Sequence, residues 1–471
     1  SPEHYFRYAQ MLKANGKYDQ ANAAMDKFAS LAPNDARAIA HKSNPNTVAS
    51  LLDDTPKFTV KPLEGFNSKY SEFGPIEHEG KIYYASARSG KSRKYGWNEE
   101  PYLDIYSSDL DAASGELSNE STLGSKINTK FNEGTVSFSP EGTTMYFSGE
   151  SLDRDAGLFG KKFKKDATGK RTINIYSASL ENGEWANVLT LPFNMENHNT
   201  GDPAVSLDGK RLYFSSDREG TMGGSDLWYV TLNEDGTYGE PVNLGSDINT
   251  EGSERFPYIS SKNILYFSSN GRPGLGMLDV FASQMTGDSF GSVRNLGAPI
   301  NSGKDDFSYT VNEESQQGFF ASNREGGSGS DDIYRFDQIV PVCDVVLTVQ
   351  VVDSKTGAAL SLTSVAIFDE NSNKVATKTT DENGYVEFKY ECDQAFKVEA
   401  NKELYLNNSI DVAKTDDAEV SKQIALEEII VDNKVVLNPI FFELDKHNIT
   451  AQGAAELDKL VEVMNTYPKM M

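Results

Sequence analysis

Short apolar runs repeat along the middle of the chain and are broken by Gly, Asn, Asp and Ser. Aromatic and β-branched residues fill the runs, the composition of half-buried strands. The runs keep a register. Tyr213-Phe214, Tyr266-Phe267 and Phe319-Phe320 hold the same place in three copies, 53 residues apart, and Asp226, Asp279 and Asp332 repeat in step. Two earlier copies carry Tyr83-Tyr84 and Tyr146-Phe147, at longer spacings of 63 and 67 residues. Glu141-Gly142, Asp208-Gly209 and Asn270-Gly271 lie between runs. Positive φ is cheap for Gly there and tolerated by Asn and Asp.

Each copy has four strand-like runs, so the repeat predicts a tandem of four-stranded units, the pattern of β-propeller blades. The fifth copy runs from Phe307 to Phe336 and lacks its last strand. A matching strand, Phe58 to Leu63, precedes the first copy. The expectation is a five-bladed propeller over 55–338, closed by strand 58–63, with six blades as the alternative. Closure in this way leaves no open sheet edge to protect.

The flanks have other periods. Residues 4–33 predict a helical hairpin within a helical segment 1–50, with Tyr5, Tyr8, Ala9 and Leu12 on one face and Ala21, Met25, Phe28 and Leu31 on the other helix. Residues 34–57, with Pro45 and Pro56, read as a linker. Residues 342–430 alternate apolar and polar in strands such as Val345–Asp353 and Tyr385–Phe388, a small β-sandwich. Residues 435–471 begin with a strand, Val435 to Asp445, and continue as a helix, Gly453 to Asn465, capped by Thr450. The fold class is thus multidomain and mainly β.

The formal net charge of −25 argues against a nucleic-acid partner, which rewards clustered Lys and Arg. No run of eighteen apolar residues exists, so no membrane-spanning helix is expected. Two insertions reverse the sign locally. The first holds Arg88, Lys91, Arg93 and Lys94, and the second Lys161, Lys162, Lys164 and Lys165. They are candidate contacts for an acidic partner or anionic polymer, with a solvated loop as the alternative.

Catalytic chemistry is not signalled. The five histidines are scattered and none pairs at metal-ligand spacing. Ser89-Gly90-Lys91-Ser92 ends like a phosphate loop, but Ala85 stands where that motif has its first Gly. No catalytic residue, metal or cofactor is expected. The repeated Asp104, Asp226, Asp279 and Asp332 are expected to be structural, accepting turn amides.

Ser322-Asn323-Arg324-Glu325-Gly326-Gly327 through Asp332-Ile333-Tyr334, and Asp217-Arg218-Glu219-Gly220 through Asp226-Leu227-Trp228, resemble TolB-type propeller repeats of OmpA-family periplasmic proteins from Bacteroidetes. Asn174 departs from the repeated Asp in the second copy. The first helices resemble a tetratricopeptide repeat, with Phe28 where a small residue is usual. Residues 342–430 resemble a carboxypeptidase regulatory-like domain, which carries no peptidase activity. The last segment resembles the opening of an OmpA-like peptidoglycan-binding domain.

Together these parts resemble an OmpA-family component of the type IX secretion system. The resemblance implies a non-enzymatic scaffold in the periplasm, associated with the outer membrane. It would join envelope proteins of a secretion complex to peptidoglycan through residues beyond Met471. The alternative is a propeller enzyme or ligand sensor acting on glycans or peptides. Cys343 and Cys392 are either one disulfide or two free thiols, and a periplasmic setting favours the disulfide.

Overall fold

The computed structural model describes all residues except 45–46, 53–56, 64, 91–93, 97, 112–114, 154–161, 164–170, 416, 418, 432–433, 436–439, 441–448 and 467–471. The chain is mainly β and forms two compact units, Ser1–Val340 and Pro341–Met471.

Most of the first unit is five four-stranded antiparallel sheets. Their first strands are Glu72–His78, Glu133–Phe138, Thr200–Val205, Glu254–Ile259 and Asp306–Asn312, and the sheets are numbered 1 to 5 in that order. A fifth short strand extends sheet 4. Sheet 5 is completed out of sequence order by Phe58–Pro62, whose Phe58 pairs with Gln338 and Pro62 with Tyr334. No single sheet closes on itself. The first strands of sheets 1 to 5 pack against one another in sequence, and that of sheet 5 packs against that of sheet 1. They are therefore the inner strands of the unit.

Every inner strand carries a β-bulge two to four residues from its start. In four of them a residue there has left-handed φ: Gly74 at 68°, and Asp202, Phe256 and Ser308 at 54°. The bulge adds twist and turns side chains toward the axis. Gly74 needs its missing side chain, since a Cβ there would lie 2.9 Å from Thr135 Cγ2 in the next sheet. Phe256 packs tilted against Phe307 with ring centroids 4.9 Å apart, and Phe307 against Phe73 at 5.9 Å, so aromatic rings fill the axis at this level.

Four helices precede the sheets: α1 (Pro2–Lys13), α2 (Tyr18–Leu31), α3 (Ala36–Ser43) and α4 (Thr47–Leu51). The face buried by α1 is Phe6, Ala9 and Leu12, while Tyr5 and Tyr8 face solvent. Ala9 and Leu12 are buried as expected, and Phe6 takes the place of Tyr5 and Tyr8 on that face. Phe6 meets Phe28 of α2 at 5.5 Å, and the Arg37 guanidinium of α3 lies over both rings. Leu31, expected on the buried face of α2, is also exposed.

The expected linker 34–57 instead holds α3 and α4. Asp35 caps α3 by accepting from Arg37 N at 3.0 Å, and Ala38 is fully buried against the first two helices. Pro45 and Pro56, which suggested a linker, lie outside the described residues.

In the second unit two four-stranded sheets share one core, built from alternating residues such as Val345, Leu347, Val349 and Val351 facing Val365, Ile367 and Val398. Asp344–Asp353 pairs in parallel with Glu419–Glu428 and antiparallel with Tyr385–Glu391. Cys343 and Cys392 form a disulfide beside this pairing, with Cα atoms 5.4 Å apart. The helix Ala451–Thr466 follows, and Thr450 Oγ1 accepts from Gly453 N at 3.1 Å. Most of the expected strand from Val435 to Asp445 lies outside the described residues.

Candidate functional site

Two sets of repeated carboxylates meet at the edge where the inner strands begin. The first is the turn aspartates. Asp226 accepts from Met222 N at 2.8 Å and from Asn243 Nδ2 at 2.8 Å. Asp279 accepts from Leu275 N at 2.5 Å and from Asn295 Nδ2 at 3.0 Å, and Asp332 accepts from Gly329 N at 3.1 Å. Asp104 occupies the corresponding position, paired with Ser86. Asp226, Asp279 and Asp332 hold the loops that enter their strands.

The second set is Glu72, Glu133, Glu254 and Asp306, each the first residue of an inner strand and each fully buried. A Ser or Thr four residues earlier gives each carboxylate both its backbone N–H and its hydroxyl. Ser68, Thr129, Thr250 and Ser302 do so at 2.6–2.9 Å. Ser86, Ser269 and Ser322 add a third donor to Glu72, Glu254 and Asp306, each at 2.6 Å. Burial is the first cause that raises the pKa of Glu72, Glu254 and Asp306, and these donors pull against it. Sheet 3 has Thr200 in this place. The signal was in the chain as Ser/Thr-x-x-x-Asp/Glu, repeated four times, and the sequence reading missed it.

An arginine follows the second strand of four sheets. Arg88 donates to Phe66 O at 2.8 Å, Arg218 to Phe193 O at 3.1 Å, Arg272 to Ile248 O at 2.9 Å and Arg324 to Pro299 O at 2.9 Å. Each thereby ties its sheet to the loop leading into it. Arg88 also pairs with Glu120 and lies 3.4 Å from the buried Glu72. Of the residues proposed as a basic partner contact, Arg88 is thus part of the scaffold. Lys94 is exposed, and its backbone bridges Pro101. Lys91, Arg93, Lys161, Lys164 and Lys165 lie outside the described residues, and for Lys162 only the backbone is described.

The helices dock on this same edge. Lys13 donates to Gly274 O at 2.7 Å, Gln10 to Asn270 O at 3.1 Å, and Leu51 O accepts from Ala298 N at 2.8 Å. Asp279 sits beneath the contact. Its pKa is pushed up to about 7, first by burial and then by the neighbouring Asp306, with Lys13 opposing.

On the axis, Asp202 accepts from Arg255 Nε at 3.0 Å and from Ser215 Oγ at 2.6 Å. At the other end of the inner strands the axis opens into a cavity of about 410 Å³ whose lining includes Glu77, Glu79, Tyr258, Glu313 and Glu314. Among the described residues no group of three His, Cys, Asp or Glu is placed to hold a metal ion. Among them, too, no helix is long and apolar enough to cross a membrane.

No family model matches the chain, and no curated protein matches it. Among solved structures, 59% of the chain is similar to 95% of a luciferin-regenerating enzyme, at 12% identity and a TM-score of 0.34. The same share is similar to 92% of an alpha-L-arabinofuranosidase from Lactobacillus brevis, at 11% identity and a TM-score of 0.38. A sialidase from Trypanosoma rangeli is similar over 76% of this chain and 89% of its own, at 9% identity and a TM-score of 0.36. At these values the likenesses bear on neither fold family nor activity.

Proposed function

We propose that the chain is a non-enzymatic scaffold of the bacterial periplasm, an OmpA-family protein that links an outer-membrane-associated secretion complex of type IX to peptidoglycan. In this reading the five sheets are the blades of a propeller, closed by Phe58–Pro62, and the helices are a tetratricopeptide-like adaptor.

The observation that supports the reading most is the use made of the repeated charged residues. Glu72, Glu254, Asp306, Asp226 and Asp279 accept from loop amides and hydroxyls, and Arg218, Arg272 and Arg324 hold neighbouring loops. Charges spent in this way stiffen a docking platform. A glycan-cleaving site instead needs two carboxylates facing one substrate with their pKa values set apart. The exposed Tyr5, Tyr8 and Met11 on α1 add an apolar stripe suited to a protein contact.

The test is sedimentation of the protein with cell envelopes. Muramidase should release it. Sedimentation that muramidase leaves unchanged rules out the wall tether.

A further inference from the structure

The cavity at the far end of the inner strands holds a group that the scaffold does not use. Glu313 is only 8% exposed, and its Oε1 is buried without a hydrogen-bond partner. Three phenols lie near it, of which Tyr258 lines the cavity while Tyr266 and Tyr309 are buried outside the lining. Tyr258 spends its proton on Val311 O at 2.8 Å, leaving its oxygen as an acceptor. The Tyr309 and Tyr266 hydroxyls are buried without partners, and Tyr266 faces Glu313 without closing a hydrogen bond of normal geometry. Glu313 helps to raise the pKa of all three phenols, behind burial itself.

No Lys or Arg lines the cavity. Arg294 acts on Tyr266 electrostatically but is not part of the lining. His78, stacked at 4.1 Å on Phe138, has its pKa lowered by burial and brings no charge at neutral pH. Glu77, Glu79 and Glu314 stand exposed at the rim. The lining thus offers Glu313 no cation of its own, and a cation that enters the cavity supplies one.

We propose that this cavity receives a lysine side chain from an extended segment of a partner protein, with the ammonium group seated against Glu313 and the Tyr258 oxygen. An ammonium has three donors and no acceptor, which matches a carboxylate oxygen and a phenol oxygen whose own proton is already donated. Aromatic rings favour a cation beside them. A neutral sugar would leave Glu313 unbalanced. A divalent metal ion would need a set of oxygen ligands, and none is assembled among the described residues. The rim carboxylates would draw a basic segment toward the opening and speed its capture. The proposal deepens the scaffold reading by naming the chemistry of one partner, and it is tested on purified protein, apart from any wall or secretion complex.

The experiment is calorimetric titration of the protein with the peptide acetyl-Gly-Lys-Gly-Lys-Gly-amide and with the same peptide acetylated on both lysines. The lysine peptide should saturate one site. Acetylation, or the variant Glu313→Gln, should weaken it at least tenfold, about 1.4 kcal/mol. If Glu313→Gln does not fold, Glu77→Gln at the rim takes its place, with an expected loss of a few-fold that salt abolishes. Equal binding of the acetylated peptide, an unchanged affinity in the folded variant, or no saturation by the lysine peptide at millimolar concentration would overturn the proposal. So would stoichiometric calcium binding that Glu313→Gln removes.

Discussion

The Lys13 ammonium of α1 lies 2.7 Å from the carbonyl oxygen of Gly274, in the loop that leads to Asp279. One long side chain thus pins the helices to sheet 4, while Gln10 and Leu51 make weaker, neutral contacts nearby. Lys13→Met keeps the aliphatic stem and deletes the donor. Amide exchange across residues 2–43 should speed up about tenfold, a local opening eased by about 1.4 kcal/mol, with exchange in the five sheets unchanged. Hydrogen-exchange mass spectrometry reads both. Uniform acceleration over the whole unit would mean that the helices do not open separately.

Asp279 gives this contact a pH dependence. Its carboxyl titrates at about 7 in the folded chain and at about 3.9 when unfolded. Between those values the folded state keeps a proton that the unfolded state has released. The stabilisation is therefore full below about pH 4 and lost as pH rises through about 7. Glu72, Glu254 and Asp306 are raised as well and act with the same sign. Lys13 is lowered and acts with the opposite sign, on the alkaline side. The urea midpoint of the first unit should fall between pH 5 and pH 8, and Asp279→Asn should shrink that fall by about 1–3 kcal/mol. A midpoint that rises over this range would contradict the assignment.

Glu254 holds three donors at once, from Thr250 N, Thr250 Oγ1 and Ser269 Oγ. Glu254→Ala strands all three in a buried place and should destabilise the first unit by about 3–5 kcal/mol in urea unfolding. Glu79→Ala, an exposed carboxylate of the same type, should change it by less than about 0.5 kcal/mol. Equal effects would show that the inner-strand carboxylates are not structural.

The second unit has its own staple. The disulfide closes a loop with a sequence separation of 49. In the chain-entropy view such a loop contributes about 4 kcal/mol. Cys343→Ser with Cys392→Ser should lower the stability of residues 341–471 by roughly that amount and leave the first unit alone. Separate tryptophan fluorescence can follow the first unit, because Trp97, Trp185 and Trp228 all fall within it. A shift in the tryptophan transition would contradict independent units.

Much of the β architecture was legible because aromatic pairs such as Tyr213-Phe214 and Tyr266-Phe267 sit at a fixed spacing, and strands alternate visibly. Helix phase was less so. Tyr5 and Tyr8 share the spacing of Phe6 and Ala9, and a tyrosine can sit on either a wet or a dry face. Only the packing of Phe6 on Phe28 and Arg37 decides between them. The bulges were hidden for another reason. Phe256 and Ser308 are not residue types that signal left-handed backbone, and tertiary packing imposes it on them. Glu313 was invisible as a site, since nothing local in Asn312-Glu313-Glu314 says which carboxylate the fold will bury.

The most direct test of the scaffold account is crosslinking in intact envelopes, with the protein at its natural length, followed by identification of what it captures. The account predicts specific crosslinks to outer-membrane-associated secretion proteins and muramidase-sensitive recovery of the complex. Capture of no specific partner, together with turnover of an envelope glycan or peptide by the purified chain, would contradict it and return the axial cavity to the status of an active site.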